Sequence, residues 1–459
     1  MSRRRSILPR LRSRRARLTA AGVALLVLVG IVLGGYFYVK GRTGSVYNRD
    51  APFRPEAEAK VTPVVKSKPK AAAPPFVWPV YGFTPRHHRY LPAEASMKPP
   101  FRQIWESRES ALLEFPPVIS GNRIYQLADD GIIDAIEAST GHIVWSKQIG
   151  VLSASTPAIA GGTVYATVLT VKGGEGGGIY ALNASTGAII WSHQLPSRSE
   201  SSPIVANGKV IFGSENGTVY ALNATTGSTI WTYQAAGAVK ASPTLNDGVL
   251  YFGDYAGDVQ AISEATGRRI WISSSEGAPL GSGTFYSTAA YAYGRIYLGN
   301  TDGRIYAYNA SNGELAWAVQ TGAYVYSSPA VRNVPGLGPT IFEGSYDGYL
   351  YALNAKSGAI DWKHYAGGKI SGSATVIGEV VYYSDLGTHS TAGLNVRTGQ
   401  QVFSIAQGAF DPGISDGHTF YLDGYNTLYA LQPTDAQATS TTSTTATSGA
   451  EGSAPQKKK

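Results

Sequence analysis

The 459-residue chain contains no cysteine, so neither a disulfide nor a lipid-modified cysteine can brace or tether it. Histidine is scarce: the seven, at positions 87, 88, 142, 193, 364, 389 and 418, are scattered without the spacing of a zinc site. The glycine-rich stretch KGGEGGG (172–178) is no phosphate loop, because neither Gly-Lys-Ser/Thr nor a helix follows it. No nucleophile-elbow pattern occurs either. The sequence therefore offers no ready-made catalytic motif.

What it has instead is repetition. IYALNASTGAIIWSHQ (179–194) returns as VYALNATTGSTIWTYQ (219–234). A turn glycine recurs at Gly141, Gly187, Gly227, Gly267, Gly313, Gly358 and Gly399. Four residues after each stands a large aromatic: Trp145, Trp191, Trp231, Trp271, Trp317, Trp362 and Phe403. Self-similarity at about 40–50 residues is the signature of a propeller or solenoid. Within a copy, β-branched and aromatic runs are broken by Asn-Gly pairs and by an NATTG-type turn, as a four-stranded antiparallel meander requires. Each aromatic then falls on an outer strand, where it can dock one blade on another. The same turn chemistry explains Asn183, Asn223 and Asn309 better than glycosylation does.

An eighth blade is split between the ends of the array. Trp105→Pro117 has the same twelve-residue spacing as Trp145→Pro157, Trp191→Pro203, Trp231→Pro243 and Trp317→Pro329. FRQIWES (101–107) thus reads as an outer strand with no inner strands before it, while 412–432 supplies three strands and stops. Joined, they close a ring of eight four-stranded blades with Trp105 as the eighth docking aromatic, and no sheet edge is left inside the array. The expected fold is all-β, an eight-bladed propeller over 78–432.

Outside it, residues 18–39 form a 22-residue uncharged run, long enough to span a bilayer as a helix. The eight arginines of residues 1–17, with no acid among them, place that end in the cytoplasm and the propeller outside, in a periplasm or at the cell exterior. RRRSIL (3–8) faintly resembles a twin-arginine signal, but the run is long for a cleaved peptide and no small-x-small site follows, so an uncleaved anchor is expected. The Pro-, Ala- and Lys-rich segment 40–77 reads as an extended spacer reaching on the order of 100 Å. The Ser/Thr-rich tail 433–459 reads as disordered. The net charge of +8 hides a division: residues 101–431 carry 17 basic against 25 acidic residues. An acidic propeller argues against nucleic acid as a partner and leaves the membrane, through 18–39, and an envelope protein.

The repeat consensus YALNAxTGxxxW resembles the pyrroloquinoline-quinone (PQQ)-like propeller repeat and lacks the Gly-His and Trp-Asp pairs of WD repeats. WPVYGFTPRHHRYLP (78–92) looks like the segment preceding the first outer strand in eight-bladed quinoprotein dehydrogenases. The resemblance implies the fold and two kinds of function: a PQQ- and calcium-dependent dehydrogenase, or a non-catalytic scaffold like the propeller lipoprotein of the barrel-assembly machinery. The dehydrogenases' adjacent cysteine pair cannot exist here, and no Asp/Glu/Asn cluster is assignable to calcium; Asp302 and Asp347 sit in Asp-Gly turns. The expectation is a scaffold with no catalytic, cofactor-binding or metal residues, the dehydrogenase being the alternative.

Departures from the 40-residue repeat locate insertions, where a rigid scaffold tends to carry its binding residues. Surplus residues around 169–178 and 276–287 fall on connections of the same face, and 332–339 on the opposite one. The expected binding face therefore carries Lys240, Phe285, Tyr286, Tyr324 and Tyr326.

Overall fold

The computed structural model describes residues 27–29, 44–54, 75–93, 97–276 and 283–434. Apart from a helical turn at 27–29, they are all-β. Seven four-stranded antiparallel blades follow in chain order: 118–148, 158–194, 204–234, 244–274, 290–320, 330–365 and 375–405, here blades 1 to 7. Blade 8 takes three strands from 414–433 and its outer strand from Phe101–Arg108, paired from Thr427↔Arg108 to Pro433↔Phe101. The ring closes across the ends of the array, as the spacing predicts.

Every blade shifts register once between its third and fourth strands, at Ala181/Leu182 in blade 2 and Ala221/Leu222 in blade 3. In blades 1 to 7 the shift leads into a tight turn, while blade 8 shifts at Ala430/Leu431 without one. Asn183 Oδ1 accepts the amides of Ser185 and Thr186, and Gly187 sits at φ 70°, which is cheap only without a Cβ. The next connection is between blades. Each indole N–H donates to a carbonyl in the following blade's turn, as Trp145 to Ala184 at 3.0 Å and Trp317 to Ala355 at 3.1 Å. The ring lies over that turn's glycine: a Cβ at Gly187 would meet Trp145 at 2.7 Å. Trp105, Trp191, Trp231, Trp271 and Trp362 dock in the same way, on Ala138, Ala224, Glu264, Ala310 and Val396. Phe403 is the exception: a phenyl ring has no N–H to donate, and blade 8, closed by Phe101–Arg108, has no continuous third-to-fourth turn beside it. It packs edge-on against Phe101 at 5.4 Å instead.

Residues 77–91 run around the inside of the ring. Val77–Trp78 pairs with the inner strand of blade 1 and Tyr90–Leu91 with that of blade 7. Between them, the carbonyls of Pro79, Pro85, Arg86 and His88 accept the amides of Ile159, Leu245, Tyr291 and Val331, one from each of four more inner strands. The path is tightly coiled, with Phe83, His87 and Arg89 all at positive φ, conformations that persist only when surroundings over-determine them. This axial segment plugs the channel.

Within the segment 40–77, expected as an extended spacer, residues 44–54 pack on the ring instead, while 40–43 and 55–74 lie outside the described residues. Val46–Tyr47 adds a fifth strand to blade 5, pairing with Ala318 and Trp317. Beyond it, Arg295 donates to the carbonyls of Ala51 and Pro52, and Phe53 stacks on Tyr293 at 5.4 Å. Blade 5 can accept this strap because Ala316 and Ala318 flank its tryptophan, where blade 2 has the larger Ile190 and Ser192. The segments 1–17 and 435–459, and all of the apolar run 18–39 except Val27–Val29, lie outside the described residues. Among the described residues no helix is long and apolar enough to cross a membrane.

Candidate functional site

One face of the ring carries the blade-opening loops and the second-to-third strand connections. The 169–178 insertion lies on it, with Thr170 bridged to Leu152 of the blade 2 opening loop. The 332–339 surplus instead extends the first hairpin of blade 6, paired from Ala330↔Phe342 to Val334↔Gly338, on the far side. Of 276–287, residues 277–282 lie outside the described residues.

At the axis of the first face, the mouth, is a small cavity that opens to solvent. Its wall is built by one position of the repeat, three residues before each blade's opening residue: Glu114, Glu200, Lys240, Tyr286, Tyr326 and Ser371 all line it. Two residues further on, a hydroxyl girdle holds the wall. The amides of Thr156, Ser242, Thr288 and Ser328 donate to the side-chain oxygens of Ser202, Thr288, Ser328 and Ser373 in the next blade, at 2.8–3.0 Å. The last clasp differs: Ser373 N–H donates to a carboxylate, Asp411. Asp411 in turn accepts from Arg89 of the axial segment at 3.0 Å, with both side chains nearly inaccessible. Tyr81 forms the floor, its hydroxyl 2.8 Å from Ser373 Oγ and its ring 4.5 Å under the Arg89 guanidinium. The cavity is a dead end.

Its rim is aromatic. Tyr255, Tyr286, Tyr326 and Tyr346 form a chain of rings with centroids 6.5, 5.7 and 4.9 Å apart. Lys240 sits 5.4 Å over the Tyr255 ring and Lys369 5.4 Å over that of Tyr346, so the ring faces at both ends of the chain are already engaged by cations. Burial pushes the Tyr286 phenol well above its ordinary range, and it stays neutral.

The electrostatics are one-sided. Lys240 binds Glu200 at 2.8 Å and Glu215 at 2.9 Å, so the wall's cation is fully committed. Burial raises Glu200 against the opposing pull of Lys240, whereas Glu215, with burial working against it, is held low by that lysine. Among the described residues Glu114 has no ion-pair partner, and Lys240 only moderates it from a distance. Burial, with Asp129, Glu200 and Asp411 nearby, pushes it up to about 7. Among the described residues no three His, Asp or Glu side chains are grouped as metal ligands.

Of the five residues expected on this face, Lys240, Tyr286 and Tyr326 line the cavity, and Tyr324 stands half-exposed beside Tyr326 at 5.9 Å. Phe285 is corrected: it is wholly buried between blades, edge-on to Tyr306 at 5.6 Å, and belongs to the core. Sequence reasoning missed Tyr81, Glu114, Glu200 and Asp411. The signal was present, since the wall position varies in chemistry while its neighbours repeat.

An eight-bladed ring of Trp-docked meanders around a plugged axis defines a PQQ-like β-propeller. The chain belongs to the family described as outer membrane protein assembly factor BamB, whose model matches residues 101–202, 166–271, 255–402 and 332–453. Among solved structures it is similar to BamB from Moraxella catarrhalis, at 18% identity over 73% of this chain and 98% of that one, with a TM-score of 0.59. A europium-containing methanol dehydrogenase matches at 13% identity, 78% and 98% coverage, and 0.65. The quinohemoprotein alcohol dehydrogenase of Comamonas testosteroni matches at 15%, 79% and 81%, and 0.62. At these identities the likeness is one of fold. No curated protein matches the chain.

Proposed function

We propose that this chain is a membrane-anchored, extracytoplasmic scaffold that binds a basic segment of an envelope protein at its mouth and does no chemistry there. The observation that carries the reading is the mouth itself: a tyrosine-rimmed dead end whose acid Glu114, held near 7, becomes negative as pH rises through neutrality and whose cation, Lys240, is spent on two carboxylates. An arginine or lysine side chain would find a carboxylate and aromatic faces within one small cavity. An anionic quinone would meet Glu114 and Glu200 with no uncommitted cation in the wall, and Tyr81 and Arg89 already fill the axis beneath it. The anchor follows from the uncharged run 18–39 behind its arginine cluster.

The test is calorimetric titration of the full chain with a tetra-arginine peptide, its acidic counterpart, and PQQ with and without calcium. Saturable binding of the arginine peptide, weakened by Tyr326→Ala and by Glu114→Gln, is the expected result. Saturable, calcium-dependent quinone binding would replace the scaffold with a dehydrogenase.

A further inference from the structure

The strap fixes where the chain leaves the ring. Val46–Tyr47 runs antiparallel to the outer strand of blade 5, and Ser45 Oγ accepts the amide of Gln320, the last residue of that strand. Outer strands end on the mouth face, where the Gln320 side chain also reaches the carbonyl of Gly303 in the second-to-third connection. At its other end the strap meets the far face, with Arg54 N–H donating to Tyr293 in the first hairpin. The polypeptide therefore emerges toward its N-terminus at the mouth-side rim of blade 5. From Val39, the last residue of the apolar run, to Ser45 is six residues, at most about 20 Å of extended chain.

Exposed apolar side chains are distributed accordingly. Apart from those on outer strands, the strap and the apolar run, Val77 opens the axial segment beside the first hairpin of blade 1 on the far side, while Val151, Leu152, Tyr324 and Tyr425 stand on mouth-face connections and Tyr365 ends the outer strand of blade 6 on the mouth side. Tyr324, on the loop after blade 5, and Tyr365, at the mouth-side end of the outer strand of blade 6, are each more than half exposed. Tyrosine is a side chain suited to the headgroup level of a bilayer, one end apolar and the other wet.

We infer that the mouth-side rim of blades 5 and 6 rests on the bilayer interface, with Tyr324 and Tyr365 as its contacts and the strap as the clamp. This rests on residues 18–39 being the anchor. It makes the mouth's partner a juxtamembrane segment of another membrane protein, since the opening lies against the surface that such a segment leaves.

The absence of native cysteine makes single-cysteine labelling clean. The full chain carrying Tyr324→Cys, Tyr365→Cys or, on the far face, Ser185→Cys is labelled with a small fluorophore and reconstituted into phosphatidylcholine vesicles containing lipid brominated near the headgroup. Flotation with the vesicles, compared with a chain lacking residues 1–43, tests the anchor separately. The expected result is flotation, with quenching at 324 and 365 at least about threefold stronger than at 185. Unseating the strap with Asn48→Ala and Phe53→Ala should remove that difference while flotation persists. Flotation with equal, weak quenching at all three sites overturns the rim contact and leaves the anchor standing. Failure to float overturns the anchor itself.

Discussion

Arg89 and Asp411, 322 residues apart in sequence, meet at 3.0 Å beneath the mouth and join the axial segment to the last clasp of the hydroxyl girdle. Arg89 also donates to the carbonyls of Ser373 and Ala374, so one guanidinium ties the plug to blades 7 and 8. Burial raises the Asp411 carboxyl, and Arg89 works against that rise. Removing one partner strands the other charge without water. Arg89→Ala should cost about 3–5 kcal/mol in denaturant unfolding, and Arg89→Met with Asp411→Leu distinctly less. Equal losses in the two variants would mean that the pair is not the source of the stability.

Docking tryptophans should not be equivalent. Trp317 is nearly inaccessible beneath the strap, whereas Trp145 is half-buried at a bare edge. Trp317→Ala should cost about 3–5 kcal/mol, Trp145→Ala measurably less. Thermal unfolding of the two variants, with circular dichroism as the readout, decides it.

Where blade 8 meets blade 1, Glu109 is buried, and Asp134 and Asp423 lie nearby. Burial, with Asp134 beside it, pushes Glu109 up to about 8 from an ordinary 4.5. Between those values the folded chain holds a proton that the unfolded chain releases, so this group's contribution to stability falls as pH rises from about 4.5 to about 8. Glu109→Gln should flatten that slope and gain most over the parent near pH 8. An unchanged pH–stability profile in the variant would count against it.

At the mouth the sign concerns binding. Glu114, held near 7, gains its charge as pH rises, in a field set by Asp129, Glu200, Asp411 and Lys240. A cationic peptide should bind more tightly at pH 8 than at pH 6, and Glu114→Gln should erase most of the difference. Titrations at the two pH values measure it directly.

Much of this was legible because a propeller writes the same instruction repeatedly. The twelve-residue spacing that aligns Trp105 with Trp145 revealed the split blade, and the Asn-Gly turns announced the strand breaks. The strap was not legible: Val46 and Tyr47 are two apolar residues in a Pro-, Ala- and Lys-rich stretch, and their place depends on Ala316 and Ala318, some 270 residues on. Phe285 misled for a related reason. An aromatic in a glycine-rich loop suggests exposure, yet the absence of a side chain at Gly253 leaves the space that its ring fills. Glu114 and Glu200 have no insertion to mark them, because the wall belongs to the unaltered frame of the repeat.

The axial segment has a consequence for assembly. Chain order is also the order of synthesis, so residues 77–91 exist before any of the six inner strands they touch. Blades can gather around a core already in place rather than enclose a void to be filled later. Phe101–Arg108 must wait with one edge bare until Thr427–Pro433 arrives, and only then is the circle complete. A chain that stops short by its final strand therefore keeps every docking tryptophan and nearly all of its mass, yet has no ring.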